Sequence, residues 1–462
     1  MDREGSMLQT HVPDSEDARK AYRRIGGWFL FSVAWYLVFP KMREFSYPDF
    51  MLSVVMAGIG TWLYFKAARK NNYFEFDTIF VSLFILVGFF SSFFYDSEIY
   101  PYLFLHFGFN ERYINAAHWL FVIGLQAYYL GRLSHVNVKQ KSAPPSPVCS
   151  TFVAIGLILF LALFTISGGF SYYRTIYAEL DSDFGGAVLQ IQMMLTSFIV
   201  VFSATELYNK KLNPDYRINW IVFGVIVLFA FILMLVGNRT ASSIFILSIM
   251  GIYCLLFRPI NLVTMLLFIG VGIVCMWVLT FVRTDSEIEK VTNAATFAKD
   301  MTVNTRNTYM AMEYTDQYGY TWGKTMLGGA MAVVPFSSYL TGLDKNEFGS
   351  AEVLTDYTYS SQKLNREFIG LGTNIVADLY LCFGWAGVVF FLYILGRIIQ
   401  KYTLQALLLD YYSLVTYAGI IGYSVYGIRT GFTIPFRIIV WSLLIAYINR
   451  SLCNRYCFSR RP

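Results

Sequence analysis

Charge is scarce in this sequence: only 14% of its 462 residues are Asp, Glu, Lys or Arg. Soluble domains carry roughly 25%, so this chain has too little charge to clothe a water-facing surface of its size. Histidine is scarcer still, with His11, His106, His118 and His135 as the full set. No Ser-His-Asp arrangement and no metal-ligand spacing appears, which removes the usual hydrolase triads and zinc centres. The six cysteines (Cys149, Cys254, Cys275, Cys382, Cys453 and Cys457) fall in apolar stretches, at their edges or in the C-terminal tail. That placement argues against a disulfide framework, and Cys453 with Cys457 has no further ligand nearby for a metal. Internal repeats are missing too, which does not suit the two similar halves of many transporters. The net charge of +6 is modest and makes no case for nucleic acid.

Apolar length is what the chain has in abundance. Hydrophobic residues make up 56% and aromatics 18%. Apolar runs of about 20 residues recur throughout, the length that crosses a bilayer as a helix. The expected fold is an all-α polytopic membrane bundle of about twelve transmembrane helices. The spans are placed at 25–39, 49–67, 76–95, 113–131, 148–167, 184–206, 218–236, 240–257, 259–281, 368–396, 411–428 and 434–449. The lead of residues 1–24 is long and polar, and no small-residue cleavage site follows Ile25–Phe39, unlike a cleaved signal.

Lysine and arginine set the expected orientation. With the N-terminus in the cytoplasm, the short inner segments hold 21 of them and the short outer segments 7. Cytoplasmic loops are enriched in these residues, so both termini are expected inside. Residues 1–24 and 450–462 are then cytoplasmic tails. Nine helices occupy 25–282 and three occupy 368–449. Between them lies a large extracytoplasmic loop, 283–367, with eight Lys or Arg and eleven Asp or Glu. Within it, Met326–Leu340 is an apolar run too short to span, expected to be re-entrant or interfacial. A loop of this length in a compact protein is usually functional.

Arginines at outer helix ends stand against the charge bias: Arg239, Arg283, Arg366, Arg429 and Arg437, with Arg174 and Arg306 in outer loops. Arg239 is the sharpest, in the tight turn Gly237-Asn238-Arg239-Thr240 between two apolar helices. A guanidinium grips phosphate through paired hydrogen bonds and keeps its charge at any working pH. Arg239, Arg283, Arg306, Arg366, Arg429 and Arg437 are therefore candidate ligands for a diphosphate at the membrane edge, the alternative being snorkelling. The loop has no histidine, so a general base there would be a carboxylate. Glu313, Asp316, Asp344, Glu347, Asp356 and Glu367 qualify. Asp378, inside the tenth span, should pair with an arginine or act directly in chemistry. The catalytic expectation rests on Asp378, Glu313 and Asp316. Tyr318, Tyr320 and Trp322 are suited to stacking on sugar rings, or to anchoring at the interface. Asp181-Ser182-Asp183 has the look of a metal–nucleotide-sugar motif, but faces outward by topology, as does Asp96-Ser97-Glu98.

These residues resemble a known family, the O-antigen and oligosaccharide repeat-unit polymerases of bacterial envelopes. The resemblance covers roughly 235–396. It rests on Gly-Asn-Arg239-Thr at a span start, then the long outer loop containing Gly319-Tyr320-Thr321-Trp322-Gly323-Lys324-Thr325 and Pro335. Gly370-Leu371-Gly372-Thr373-Asn374 and Asp378-Leu379-Tyr380-Leu381-Cys382-Phe383-Gly384 follow. Similar proteins often have Glu in place of Asp378 and a basic residue in place of Phe336. The resemblance implies a glycosyltransferase of the cytoplasmic (inner) membrane that joins repeat units carried on undecaprenyl diphosphate. It implies no cofactor and no metal, since arginines can supply the positive charge. Implied partners are the lipid-linked oligosaccharide, membrane lipids and a chain-length regulator protein. O-antigen ligases share the architecture but typically use a loop histidine, absent here. A flippase or other transporter should show similar halves and charge deep in the bundle, and neither is evident in the sequence.

Overall fold

The computed structural model describes residues 16–38, 44–68, 70–104, 106–138, 145–175, 185–283, 302–334, 337, 348–364 and 370–456. Arg366, Glu367, Asp344, Glu347, Asp181–Asp183, Pro335, Phe336 and Cys457 lie outside the described residues, as do the side chains of Arg174, Cys275 and Arg283. All regular structure among the described residues is helical.

A helix stands at each of the twelve expected segments: α1 (Glu16–Val38), α2 (Tyr47–Ala68), α3 (Phe76–Phe89, continued as a 3-10 turn to Phe94), α5 (Ile114–Leu133), α6 (Thr151–Ile166), α8 (Gly185–Leu212), α9 (Trp220–Leu235), α10 (Arg239–Leu256), α11 (Leu262–Arg283), α15 (Ile375–Leu407), α16 (Tyr411–Gly422) and α17 (Phe436–Tyr456). Short α4 (Ile99–Leu103) and α7 (Gly169–Thr175) fill two connections. The long loop is itself helical in three pieces: α12 (Arg306–Tyr318), α13 (Lys324–Met331) and α14 (Ser350–Ser361). Among the described residues, six of the long helices are apolar and long enough to cross a membrane by themselves. Large apolar side chains such as Leu30, Trp62, Ile158, Ile221, Leu266 and Phe390 are exposed along these and the other helices of the bundle. So much outward apolar surface fits lipid, not water. The chain is thus a polytopic helical membrane protein.

Helix α5 is the axis of the first half. Every one of its residues is buried, as expected of a helix apolar on all sides. It packs on α1, α2, α3 and, most extensively, α15. Its crossing with α15 is so close that a Cβ on Gly131 would sit 2.1 Å from the Tyr393 carbonyl oxygen, and one on Gly396 2.3 Å from that of Tyr128. Glycine pairs of this kind let backbones touch where lipid supplies no hydrophobic drive. A second core gathers α6, α8, α9, α10, α16 and α17. Asn219, Asn238, Asn374 and Asp410 start α9, α10, α15 and α16, each side chain accepting a backbone N–H three residues on.

Buried charge is present after all, at helix ends. Asp77 in the first turn of α3 receives Arg132 through Nε (2.8 Å) and NH2 (2.6 Å), Lys70 (2.7 Å) and the Tyr64 hydroxyl (2.6 Å), with the Tyr128 hydroxyl completing the shell. Lys70 also reaches Glu75 at 2.9 Å, and Arg132 donates to Gln400 on α15. Hydropathy alone does not single out this cluster. Arg132 ends α5, whereas Tyr113 precedes it, and nineteen helical residues rise about 28 Å. That is the thickness of the hydrocarbon core, so the cluster marks one membrane face and Tyr113 the other.

Removing one partner from a buried charge network strands the rest, at a cost of about 3–5 kcal/mol. Asp77→Ala, which leaves Arg132 without its counter-charge and Lys70 with Glu75 alone, should therefore sharply lower the membrane level and melting temperature of the purified protein. An unchanged melt would show that the network contributes nothing to the bundle.

Candidate functional site

The site is assembled by a break in α15. Phe383 and Gly384 leave helical geometry inside it, Gly384 at φ 66°, ψ −159°. Only glycine tolerates that region. A helical break frees the carbonyls that would have been bonded four residues on, and here the loop supplies their donors. Thr321 N–H donates to Leu381 O at 2.9 Å, and Trp322 N–H to Cys382 O at 3.1 Å. The Gly319–Thr325 motif thereby docks on the Asp378–Gly384 motif. Trp322 is held at φ 51°, flanked by Gly319 and Gly323 at φ 80° and 86°. A non-glycine residue in the left-handed region costs about 1–3 kcal/mol unless its surroundings impose it.

Asp378 is the second fastening. It is buried, 1% exposed. Its carboxylate accepts from the Thr325 hydroxyl (3.2 Å), the Phe432 N–H (2.8 Å) and the Ser350 hydroxyl. It thus ties α13, α14 and the 427–435 segment to α15. The expected arginine partner is replaced by neutral donors. The third motif fastens the other end of the loop. Asn374 donates to the Asn304 carbonyl (2.6 Å) and the Thr308 hydroxyl (2.9 Å), and Asn307 donates to the Leu371 carbonyl at 3.1 Å. The apolar run from Met326 forms α13, packed on α15 and α17, and Trp441 donates to the Val333 carbonyl at 3.0 Å.

So fastened, α12 carries most of the candidate chemistry. Arg306 at its start is 2% exposed. One guanidinium nitrogen donates to the Thr358 hydroxyl at 2.9 Å, and Phe107 lies under the plane at 5.2 Å. The other terminal nitrogen, NH1, is buried with no partner among the described residues. Burial pushes its pKa down to about 10, the sign of a cation lacking a local counter-charge. Glu313, two turns on, is half-buried next to Tyr357, whose phenol is raised to about 12 by burial and then by the Glu313 charge. Asp316 is exposed and accepts from the Tyr113 hydroxyl at 2.8 Å. It also lies within electrostatic reach of Tyr36 and Tyr380.

Beyond α12 the surface becomes aromatic. Tyr318, Tyr320 and Trp322 are 68%, 36% and 75% exposed. Tyr318 packs on Tyr314 and Tyr357, Tyr320 on Trp322 and Tyr380, and Trp322 on Phe383, with centroids 5.0–6.4 Å apart. Glu313, Asp316 and the three rings thus share one patch. The remaining arginines divide. Arg429 lies in a 3-10 turn packed on α3 and α15. Arg239 opens α10, whose neighbours are α8, α9 and α16, and Arg437 donates to Gln190 on α8. Tyr36 and Tyr113 come from distant spans, and nothing in the sequence marked them. Among the described residues no group of three His, Cys, Asp or Glu is placed to hold a metal.

Fold and site together define a multi-pass membrane protein whose long loop carries two carboxylates, three exposed aromatic rings and a buried cation on and beside one helix. The family model of the O-antigen polysaccharide polymerase Wzy matches residues 28–461, nearly the whole chain. The chain belongs to that family, as its motifs implied, and is a polymerase of O-antigen repeat units. Neither the curated proteins nor the solved structures contain a match.

Gly384→Ala would place a Cβ 2.8 Å from the Tyr320 hydroxyl and force a disfavoured φ. It should shorten the glycan ladder at least tenfold in chain growth while the protein still inserts. Normal ladders at normal expression would show that docking of 319–323 on α15 is dispensable.

Proposed function

We propose that this polymerase extends glycans carried on undecaprenyl diphosphate at the outer face of the cytoplasmic membrane, with 283–367 outside and both termini inside. The observation that carries the reading is the polarity of α12: a buried arginine with an unused donor at one end, two carboxylates at the other. Seven residues separate Arg306 from Glu313, so both lie on one helix face about 10 Å apart. That span accommodates a diphosphate, an anomeric carbon and an attacking hydroxyl in sequence.

In this reading the new unit's hydroxyl oxygen bonds to the reducing-end carbon of the growing glycan. The bond from that carbon to the diphosphate oxygen breaks, and its electron pair leaves with the lipid diphosphate. Glu313 takes the hydroxyl proton. Asp316, one oxygen occupied by Tyr113, fixes the acceptor. Arg306 neutralises the leaving diphosphate, and preorganised charge of this kind is commonly the largest catalytic contribution. Arg429, whose turn packs on α15, and Arg239, Arg283, Arg366 and Arg437 serve the lipid-linked substrate at the membrane edge. Asp378 acts by position, holding the ring-bearing segment, and the rings of Tyr318, Tyr320 and Trp322 bear the sugars. A chain-length regulator would act on the same outer face.

Two experiments test this. Cysteine labelling should find position 316 accessible from outside; labelling only from inside overturns the orientation and the reaction with it. Purified protein given lipid-linked repeat units should lengthen the glycan on undecaprenyl diphosphate and leave a lipid A core unmodified. Arg306→Met should abolish that growth by more than tenfold while the melting temperature holds or rises, because an unpaired buried charge is replaced by an apolar chain of similar length. Arg306→Lys should restore growth only in part, since the two-pronged grip is lost. Full growth from Arg306→Met would exclude Arg306 from the diphosphate site and leave Arg239 as the next to replace.

A further inference from the structure

The patch beyond α12 also specifies the kind of sugar it takes. Among the described residues its charge is of one sign. Glu313 and Asp316 lie three residues apart on one face of α12, and their charges reach Tyr113 and Tyr357 around the patch. The basic side chain next to the rings in sequence, Lys324, is turned over the Phe348 ring, 5.1 Å from its centroid. Arg306, at the far end of the helix, is buried against Thr358 and Phe107. Tyr357 is 7% exposed and packs edge-on against Tyr314 and Tyr318, with its hydroxyl beside Glu313.

A pyranose ring needs an aromatic face, carboxylates that accept from its hydroxyls, and a donor. The exposed rings of Tyr318, Tyr320 and Trp322 supply the first, Glu313 and Asp316 the second, and the indole N–H of Trp322 the third. A uronic acid brings a carboxylate of its own. Within about 5 Å of two like charges, with no cation turned toward it, that carboxylate is repelled. Neutral and N-acetylated sugars carry no such penalty.

We propose that this patch is the acceptor subsite, and that it selects a neutral or N-acetylated sugar against a uronic acid at the end of the repeat unit that attacks. The inference rests on the polymerase reading above and adds a substrate class to it.

Saturation-transfer NMR on the full chain in nanodiscs tests it, with methyl glucoside, methyl N-acetylglucosaminide and methyl glucuronide as probes. Glucoside and glucuronide differ only at the carboxylate. The first two should saturate, with glucuronide roughly tenfold weaker. Trp322→Ala should remove the signal from all three. Glu313→Gln with Asp316→Asn should bring glucuronide up to the glucoside, as should high salt in part. Equal transfer to glucoside and glucuronide in the unmodified protein overturns the selectivity. Transfer that survives Trp322→Ala, or none to any glycoside, overturns the subsite. The measurement needs no lipid donor and no turnover. A selective binder that fails to lengthen glycan would sink the polymerisation mechanism alone, and a polymerase indifferent to the glucuronide would sink this inference alone.

Discussion

Two carbonyls released by a break in a helix organise the long loop of this protein. Had α15 run straight through Phe383 and Gly384, Leu381 and Cys382 would have been satisfied four residues on. The Gly319–Thr325 segment would then have had no backbone donors to exchange with α15. Because the helix breaks, the segment becomes an added strand of hydrogen bonds on it. The Trp322 backbone is thereby held in a conformation it would not choose alone. Asp378, one turn before the break, holds the same segment through Thr325 and the 427–435 turn through Phe432. The ring-bearing surface therefore inherits the rigidity of a helix buried against α5, although its residues belong to a loop.

The same logic of satisfied and unsatisfied groups separates structural from functional charge. Asp77, Lys70 and Arg132 are buried, but each charge meets opposite charge and the phenols close the shell. Such a cluster is costly to build and costlier to break, and it joins α2, α3, α5 and α15 at one membrane face. Arg306 is as deeply buried, yet has one hydroxyl and one ring to itself. Evolution toward stability alone would have replaced it with an apolar residue. On the function proposed above, a site that receives a polyanion benefits from keeping the cation unneutralised until substrate arrives.

Much of the fold was legible because bilayer length and apolarity are properties of contiguous residues. The twelve segments and the long loop after the ninth needed nothing more, and ridges such as the fully apolar α9 leave no other reading. Starts and ends drifted where polarity and helicity part company: α1 begins at Glu16, well before its apolar stretch, and α15 continues to Leu407 beyond it. The three motifs after residue 300 were visible as motifs, but not as neighbours. The contacts that join them cross about 60 residues, and no periodicity encodes that. Arg239 drew attention because a charge at a membrane edge is conspicuous in a hydropathy trace. Arg306 was one arginine among the loop's charges, since burial within a polar loop leaves no trace in composition.

The aromatic content carries a further lesson about what polar loops in membrane enzymes are for. Tyr318, Tyr320 and Trp322 alone would be compatible with anchoring in the headgroup layer. An anchoring ring, however, needs lipid beside it and polar groups above it, not a carboxylate at its edge. Asp316 approaches Tyr36 and Tyr380, Glu313 approaches Tyr357, and both act on Tyr113. Tyr113 donates to Asp316, three further tyrosines lie within electrostatic reach of the two carboxylates, and neither carboxylate forms an ion pair among the described residues. Anionic headgroups would be repelled from such a surface, whereas a ring with hydroxyls on its edge and C–H groups on its face matches both of its components. The electrostatics of the patch, and not its aromaticity, are therefore what favour the proposed sugar site over a membrane anchor.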